Sequence, residues 1–207
     1  MPSKFNAQAI RQRFANPPDW NPEIVGDSRF SDRKPQEAAV LIPLVTRSQG
    51  LQVLLTQRST NLSSHSGQIA FPGGKIDPED ASPIHAALRE AEEEIGLHSQ
   101  HITVLGNLPI YLTGSAFLIT PVVALVAEDY QITPNPHEVA DVFEVPLDFL
   151  MNPANHRRHS TLWEGKPREW FSMPYYDNAV PTERYIWGAT AGMLRNLYQF
   201  LSTDFRL

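Results

Sequence analysis

Apolar positions recur with two different periods along this chain. Ala38 to Val45 and Leu51 to Thr56 are apolar runs on either side of Ser48-Gln49-Gly50, and this pattern predicts a hairpin of two strands. Before them, Ser3 to Asn16 reads as a short helix ended by Pro17-Pro18, and a polar extended segment follows to Pro35. Gln68 to Phe71 is short and extended, broken by Pro72-Gly73-Gly74. Then the period changes. Ile84, Ala87, Leu88, Ala91 and Ile95 lie at offsets 0, 3, 4, 7 and 11, the spacing of one face of a helix. Ser82 is placed to cap this helix, Pro83 suits its first turn, and Gly96 is placed to end it. Ile102 to Leu112, Phe117 to Val126 and Glu138 to Val145 read as strands, with a turn at Pro134 to His137. Pro146 to Met151 reads as a short helix, Asn152 to Lys166 as a long polar loop, and Trp170 to Met173 as a strand. Met193, Leu194, Leu197 and Leu201 share one face of a terminal helix over Thr190 to Leu201. Strands and helices in this irregular alternation indicate α/β or α+β with a mixed sheet.

Composition narrows the function. At 207 residues the chain suits one domain with a substantial core, and 42% hydrophobic with 19% charged residues suits a folded chain. The net charge of −6 excludes the basic footprint of a general nucleic-acid binder. With no cysteine, a disulfide scaffold, a thiolate zinc site and a cysteine nucleophile are excluded. Met1 to Phe14 has no apolar run of a signal peptide, and no stretch approaches the ~20 apolar residues of a membrane helix. The expectation is a cytoplasmic protein with neither nucleic-acid nor membrane partners.

The candidate chemistry lies in Leu88-Arg89-Glu90-Ala91-Glu92-Glu93-Glu94-Ile95-Gly96-Leu97. At ~100° per residue Glu90, Glu93 and Glu94 are expected on one face, away from the apolar stripe, with Arg89 one turn before Glu93. Such a cluster is unfavourable by itself. Like charges four residues apart cost roughly 0.2–0.5 kcal/mol per pair, and the helix dipole is negative at this end. A divalent cation removes both penalties, and carboxylate oxygens suit hard ions such as Mg²⁺ or Mn²⁺. An acidic run on a solvated helix face is the commoner meaning of such a stretch.

Phe71-Pro72-Gly73-Gly74 changes that balance. Adjacent glycines permit unusual backbone angles and close approach to a phosphate. Joined through Lys75 to Ala81 to a helix bearing Arg-Glu-x-x-Glu-Glu-x-Gly, they resemble the Nudix box. Arg89, Glu90, Ala91, Glu93, Glu94, Gly96 and Leu97 match its second half. The first half departs: Asp80 stands where the family has Glu, and eight residues rather than seven separate it from Arg89. Leu54 to Gly74, running Leu-Leu-Thr-Gln-Arg-Ser-Thr-Asn-Leu-Ser-Ser-His-Ser-Gly-Gln-Ile-Ala-Phe-Pro-Gly-Gly, further resembles the signature of the coenzyme A pyrophosphatase branch, although Ser63 stands where an Arg is common. The resemblance spans roughly Ala38 to Leu201.

The resemblance implies an α/β fold, the Nudix α/β/α sandwich with a mixed sheet, over 36–207, preceded by a segment 1–35 whose short helix packs on it. It implies hydrolysis of the diphosphate of a small-molecule nucleotide, coenzyme A or its derivatives, with Mg²⁺ or Mn²⁺ as cofactor. Other nucleoside diphosphate derivatives (NADH, ADP-ribose) and a non-catalytic nucleotide sensor are the alternatives. Glu90 and Glu94 are the expected metal ligands, with Glu138 as an additional carboxylate. Glu93 is expected to act on the attacking water, and Arg89 to orient a glutamate. Arg58, Gly73, Gly74 and Lys75 are expected along the substrate loop. His65, His156 and His159 are expected at the surface, and Trp163, Trp170, Phe171, Tyr175 and Tyr176 in the core rather than against a base.

Overall fold

The short polar-apolar stretch at the start forms α1 (Ala7–Ala15), capped by Asn6, whose side chain accepts the Ala9 N–H at 3.0 Å. The predicted hairpin forms as β1 (Gln36–Arg47) and β2 (Gly50–Arg58). Then come β3 (Ile69–Ala70), β4 (Gly73–Lys75), α2 (Pro83–Ile95), β5 (Ile102–Asn107), β6 (Tyr111–Leu112), β7 (Phe117–Val126), β8 (Val139–Pro146) and the four-residue α3 (Leu147–Leu150). The chain continues through β9 (Arg157–Trp163), β10 (Lys166–Tyr176) and β11 (Glu183–Trp187) into α4 (Gly188–Ser202). This computed structural model describes residues 3–26, 34–60, 65–163, 165–177 and 182–203, without the side chains of Trp163 and Lys166. Ser63 lies outside the described residues.

Among the described residues, β1 to β8 make one mixed sheet and β9 to β11 a second, antiparallel one. In the main sheet β1 runs parallel to β7 from Gln36 to Val45, while the other pairings are antiparallel. The β1–β2 pairing covers only Leu44–Arg47 against Gly50–Val53; beyond it the two strands diverge. Two short strands fill the wedge, β4 on β1 and β3 on β2. That divergence carries the glycine loop into the sheet.

Both faces of the sheet are apolar, as the long buried runs of β1 and β7 require. One face packs on α2 through Leu41, Leu54, Ala87, Ala91 and Ile95. The other packs on α4 and the second sheet through Ile42, Val53, Leu55, Met173, Ile186 and Leu197. The result is an α/β sandwich with a mixed sheet between helices. Phe14 of α1 packs against Phe200 of α4 with tilted rings, centroids 4.7 Å apart, which holds the N-terminal helix on this second layer.

The polar stretch Asn152 to Lys166 differs from the expected long loop. Nearly half of it is β9, paired with β10 from Arg157 to Trp163. Its exposed residues face solvent at the outer edge of the second sheet, so it needs no apolar face to form. The Trp170 to Met173 strand likewise extends much further, as β10. His156 and His159, expected in a surface loop, are engaged instead. His156 Nε2 faces Leu150 O at 2.6 Å, and His159 pairs with Ser172 Oγ at 2.7 Å while stacking on Trp170.

Candidate active site

The termini of α2 are fixed as the sequence predicts. Ser82 Oγ accepts the His85 N–H at 3.2 Å, Pro83 opens the helix, and Gly96 closes it at φ 68° with its N–H on Glu92 O. The last carbonyls of the helix are met by an incoming turn: Thr133 N–H donates to Ile95 O and Asn135 N–H to Glu94 O, both at 2.8 Å. Through this turn Glu138 is brought beside the helix, and Glu138 O accepts the Ser59 N–H at 2.8 Å, joining it to the end of β2.

The three glutamates do not share one solvated face. Glu93 is exposed, Glu90 half-buried, and Glu94 only 4% exposed. The reason is angular: Glu94 lies seven residues after Ala87, about 20° away around the helix axis, so it borders the buried stripe rather than opposing it. Its carboxylate points at the glycine loop. Glu94 Oε2 accepts the Gly73 N–H at 3.1 Å, and Oε1 lies 3.7 Å from the Arg58 guanidinium. Burial pushes its pKa up to about 7 against the pull of Gly73 and Arg58. Burial also raises Glu90, opposed by Arg89. Repulsion from Glu93 and Glu138 raises Glu90 further, and repulsion from Glu90 and Glu138 raises Glu94 further.

Gly73 and Gly74 are required by this closeness. Gly73 has φ 154°, and a Cβ there would meet Ala39 O at 2.4 Å. At Gly74 a Cβ would fall 2.5 Å from the Glu90 carboxyl. Without a side chain at Gly74, the loop backbone packs directly against that carboxylate. Lys75 is exposed and contributes its carbonyl, which accepts from Arg89 at 3.1 Å.

Arg89 is a hub. Its Nη1 donates to Glu90 Oε1 at 3.0 Å and to Glu93 Oε2 at 2.9 Å. Its other edge holds Asp80, through Nε at 3.1 Å and Nη2 at 2.9 Å. The Asp80 side chain is almost fully enclosed, and the Arg89 guanidinium holds its carboxyl well below the usual carboxylate range. His85 Nδ1 and the Asp77 N–H complete its coordination at 2.8 and 2.9 Å. Despite the shorter side chain and the extra residue before Arg89, Asp80 reaches the arginine; it was not among the expected site residues.

Arg58 stands at the end of β2 with its Nε buried and unpartnered among the described residues. The aromatics behave as expected of packing groups where described: Phe171 is buried, Tyr175 meets Phe149 edge-on at 5.0 Å, and Trp170 lies against His159. Tyr176 departs from that expectation and is exposed. Trp163's side chain lies outside the described residues. His65 remains at the surface, 3.1 Å from Gln68 Oε1.

The sequence is similar to those of known proteins. The NUDIX domain model matches residues 35–164. This chain belongs to the Nudix family. It is 38% identical over 193 residues to the Nudix hydrolase NudL of Yersinia enterocolitica, covering 83% of this chain and 89% of that protein. The NudL of Yersinia pestis is 37% identical over 179 residues, 86% of each. Among solved structures, a Nudix hydrolase from M. smegmatis, RenU, is 29% identical, covers 56% of this chain and 73% of its own, and superposes with a TM-score of 0.48.

Nudix hydrolases act on nucleoside diphosphate derivatives and generally use divalent ions such as Mg²⁺ or Mn²⁺. The residues present here fit such an ion in kind. Glu90, Glu94 and Glu138 supply hard oxygen donors and mutual repulsion that a cation would relieve, and the side-chain-free backbone at Gly74 lies directly against the Glu90 carboxylate. Among the described residues no three acidic or histidine side chains are already gathered around one point. Glu90 and Glu94 are engaged instead by Arg89 and by Gly73, so an ion would draw their carboxylates from these partners.

Proposed function

We propose that this Nudix hydrolase cleaves the diphosphate of coenzyme A or its derivatives. Water adds to one phosphorus, the bridging P–O bond breaks, and the products are 3′,5′-ADP and 4′-phosphopantetheine or its acyl form. The observation that carries this reading is the place of Arg58. The stretch from Leu54 to Gly74 resembles the coenzyme A branch, and its arginine lies 3.7 Å from Glu94 while its glycines abut Glu90 and Glu94. The signature is therefore contiguous with the carboxylates that would act on the diphosphate.

In this reading Glu90 and Glu94 hold the divalent ion, with Glu138 as an added donor. When bound, that ion would supply charge neutralisation at the diphosphate and acidify water. Glu93 takes the proton of the attacking water; it is exposed, as a group that must meet solvent-derived water is, and Arg89 fixes its direction. Arg89 positions Glu93 and Glu90 together, itself anchored by Asp80. Arg58 and Lys75 offer positive charge to the phosphates, Arg58 with an N–H that has no acceptor among the described residues.

The test is a side-by-side panel of coenzyme A, an acyl-coenzyme A, dephospho-coenzyme A, NADH and ADP-ribose with Mg²⁺ and with Mn²⁺, products identified by mass. Preferred cleavage of coenzyme A compounds is the expected result. Preference for NADH or ADP-ribose overturns the substrate and leaves the chemistry. Absence of turnover across the panel, with folded protein and bound metal, identifies a nucleotide sensor instead.

A further inference from the structure

On the opposite layer from α2, a cleft of about 370 Å³ opens between β3 and β11. That volume lies within the range of roughly 300–1,000 Å³ usual for small-molecule sites. Strand alternation on β11 sends Arg184 and Ile186 inward and leaves Glu183, Tyr185 and Trp187 on the outer side. Tyr185 is 42% exposed, and its ring centroid lies 6.5 Å from that of Trp187. Gln57 and Gln68 line the facing wall.

The charges in this cleft are already matched. Arg184 is buried, lies over the Phe143 ring at 4.2 Å, and binds Asp141 Oδ2 at 2.5 Å and Gln57 Oε1 at 3.1 Å. Glu183 adds a further carboxylate. Among the described residues of the cleft no surplus positive charge remains for a phosphate. What the cleft does offer is aromatic surface and carboxamides. Gln68 Oε1 faces His65, while its amide nitrogen has no partner among the described residues. Aromatic rings beside a glutamine amide are the chemistry of nucleobase recognition: the ring stacks, and the carboxamide pairs with the donor–acceptor edge of adenine.

The cleft is linked to the candidate active site along the chain. Gln57 immediately precedes Arg58, and Gln68 and Ile69 run through Phe71 into Gly73. Thr190 Oγ1 of α4 donates to Ile69 O at 3.0 Å, so the second layer is fastened to the strand that leads to the glycine loop.

We propose that the cleft between β3 and β11 holds the adenine of the substrate, with Trp187 and Tyr185 as its stacking surface and Gln68 as its edge contact. This deepens the proposed function and rests on its adenine-bearing nucleotide substrate. Coenzyme A, NADH and ADP-ribose all carry that base, so the cleft serves whichever of them is cleaved.

The experiment is equilibrium binding of AMP, 3′,5′-ADP and 4′-phosphopantetheine to the full chain by calorimetry, with tryptophan fluorescence followed in parallel. The adenine nucleotides are expected to bind and to quench fluorescence, and 4′-phosphopantetheine to leave it unchanged. Trp187→Ala should weaken 3′,5′-ADP binding about 5- to 150-fold, the range for losing one base–aromatic stack. Trp187→Phe keeps a ring and should bind within a few-fold of the parent, while losing the quench. If Trp187→Ala misfolds by circular dichroism, Tyr185→Ala with Trp187→Phe serves as the second reading, and weaker binding in the former alone supports the site. Unchanged calorimetric affinity in folded Trp187→Ala overturns the proposal, as does equal quenching by 4′-phosphopantetheine. Trp187-dependent adenine binding without coenzyme A cleavage overturns the substrate reading only; cleavage of coenzyme A without such binding overturns the cleft only.

Discussion

The guanidinium of Arg89 closes on the enclosed carboxylate of Asp80 with two hydrogen bonds, at 3.1 and 2.9 Å, and presents its remaining edge to Glu90 and Glu93. A planar fork held on one side has little freedom on the other, so the direction of Glu93 depends on Asp80. Asp80→Ala is expected to lower kcat on the order of 10-fold, the cost of a misplaced general base, with KM less affected. Asp77, exposed and 3.6 Å from Arg89, is the comparison, and Asp77→Ala should leave kcat within a few-fold. Steady-state kinetics on the preferred substrate decide it. Equal losses in both variants would show that Asp80 does not direct the arginine.

Glu93 and Glu92 are adjacent in sequence and differ in surroundings. Glu93 pairs with Arg89, whereas Glu92 turns to His98 Nδ1 at 3.0 Å. Glu93→Gln should reduce kcat on the order of 10²-fold or more if Glu93 accepts the proton of water. Glu92→Gln should change it little. Thermal midpoints of both should stay near the parent, because each removes one negative charge from an acidic helix end. Parental turnover by Glu93→Gln would remove it from the mechanism.

His156 gives a pH dependence far from the carboxylates. Its Nε2 faces Leu150 O at 2.6 Å and its Nδ1 faces Arg195 Nη1 at 3.1 Å, so the neutral ring donates to the carbonyl and accepts from the arginine. Burial lowers its pKa, and the Arg195 charge adds to this. A depressed folded-state pKa makes a contribution to stability that is present above the ordinary histidine range and lost as pH falls below it. The midpoint of the parent relative to that of His156→Gln is expected to fall between pH 7.5 and 5.5, whatever the slope that other groups give both proteins. An identical slope in the two proteins would show that protonation of His156 is not involved.

The elements that carry the chemistry were legible because they are local. Ser82, Pro83 and Gly96 mark the ends of α2, and Arg89 to Gly96 carry the box, all through neighbours a few residues apart. What escaped the sequence depends on contacts between distant segments. Glu94 is buried because the loop at Gly73 and the turn at Asn135 close over it, and periodicity placed it on an open face. Asp80 stands one residue away from the family spacing, and only the folded loop shows that it still reaches Arg89. The strand β9 lacked an apolar period because one edge of a small sheet needs none. Arg184 carried no signal at all, since Asp141, Gln57 and Phe143 are remote from it in the chain.

Glu94 links the proposed ion to stability. Its pKa of about 7 in the folded chain stands above the ordinary glutamate value near 4.3. A raised value means that the native state holds the proton more tightly than the unfolded chain. The associated stability is fully present below about pH 4.3 and is lost as pH rises through 7, on the order of 3 kcal/mol when the group is fully ionised. In EDTA, the parent is therefore expected to lose thermal midpoint between pH 5 and 8, and Glu94→Gln to lose less and to exceed the parent at pH 8. Added Mg²⁺ or Mn²⁺ should reverse the order. A cation replaces the proton at Glu94, so the parent rises by binding linkage, while the glutamine variant, which offers a weaker and uncharged ligand, rises less. The same chelation should abolish hydrolysis by the parent and either ion should restore it. Scanning calorimetry across pH, with and without the ion, separates these effects. A parent midpoint that does not respond to either ion, together with full activity in EDTA, would remove Glu94 from any metal site and require a mechanism carried by Arg58, Arg89 and Glu93 alone.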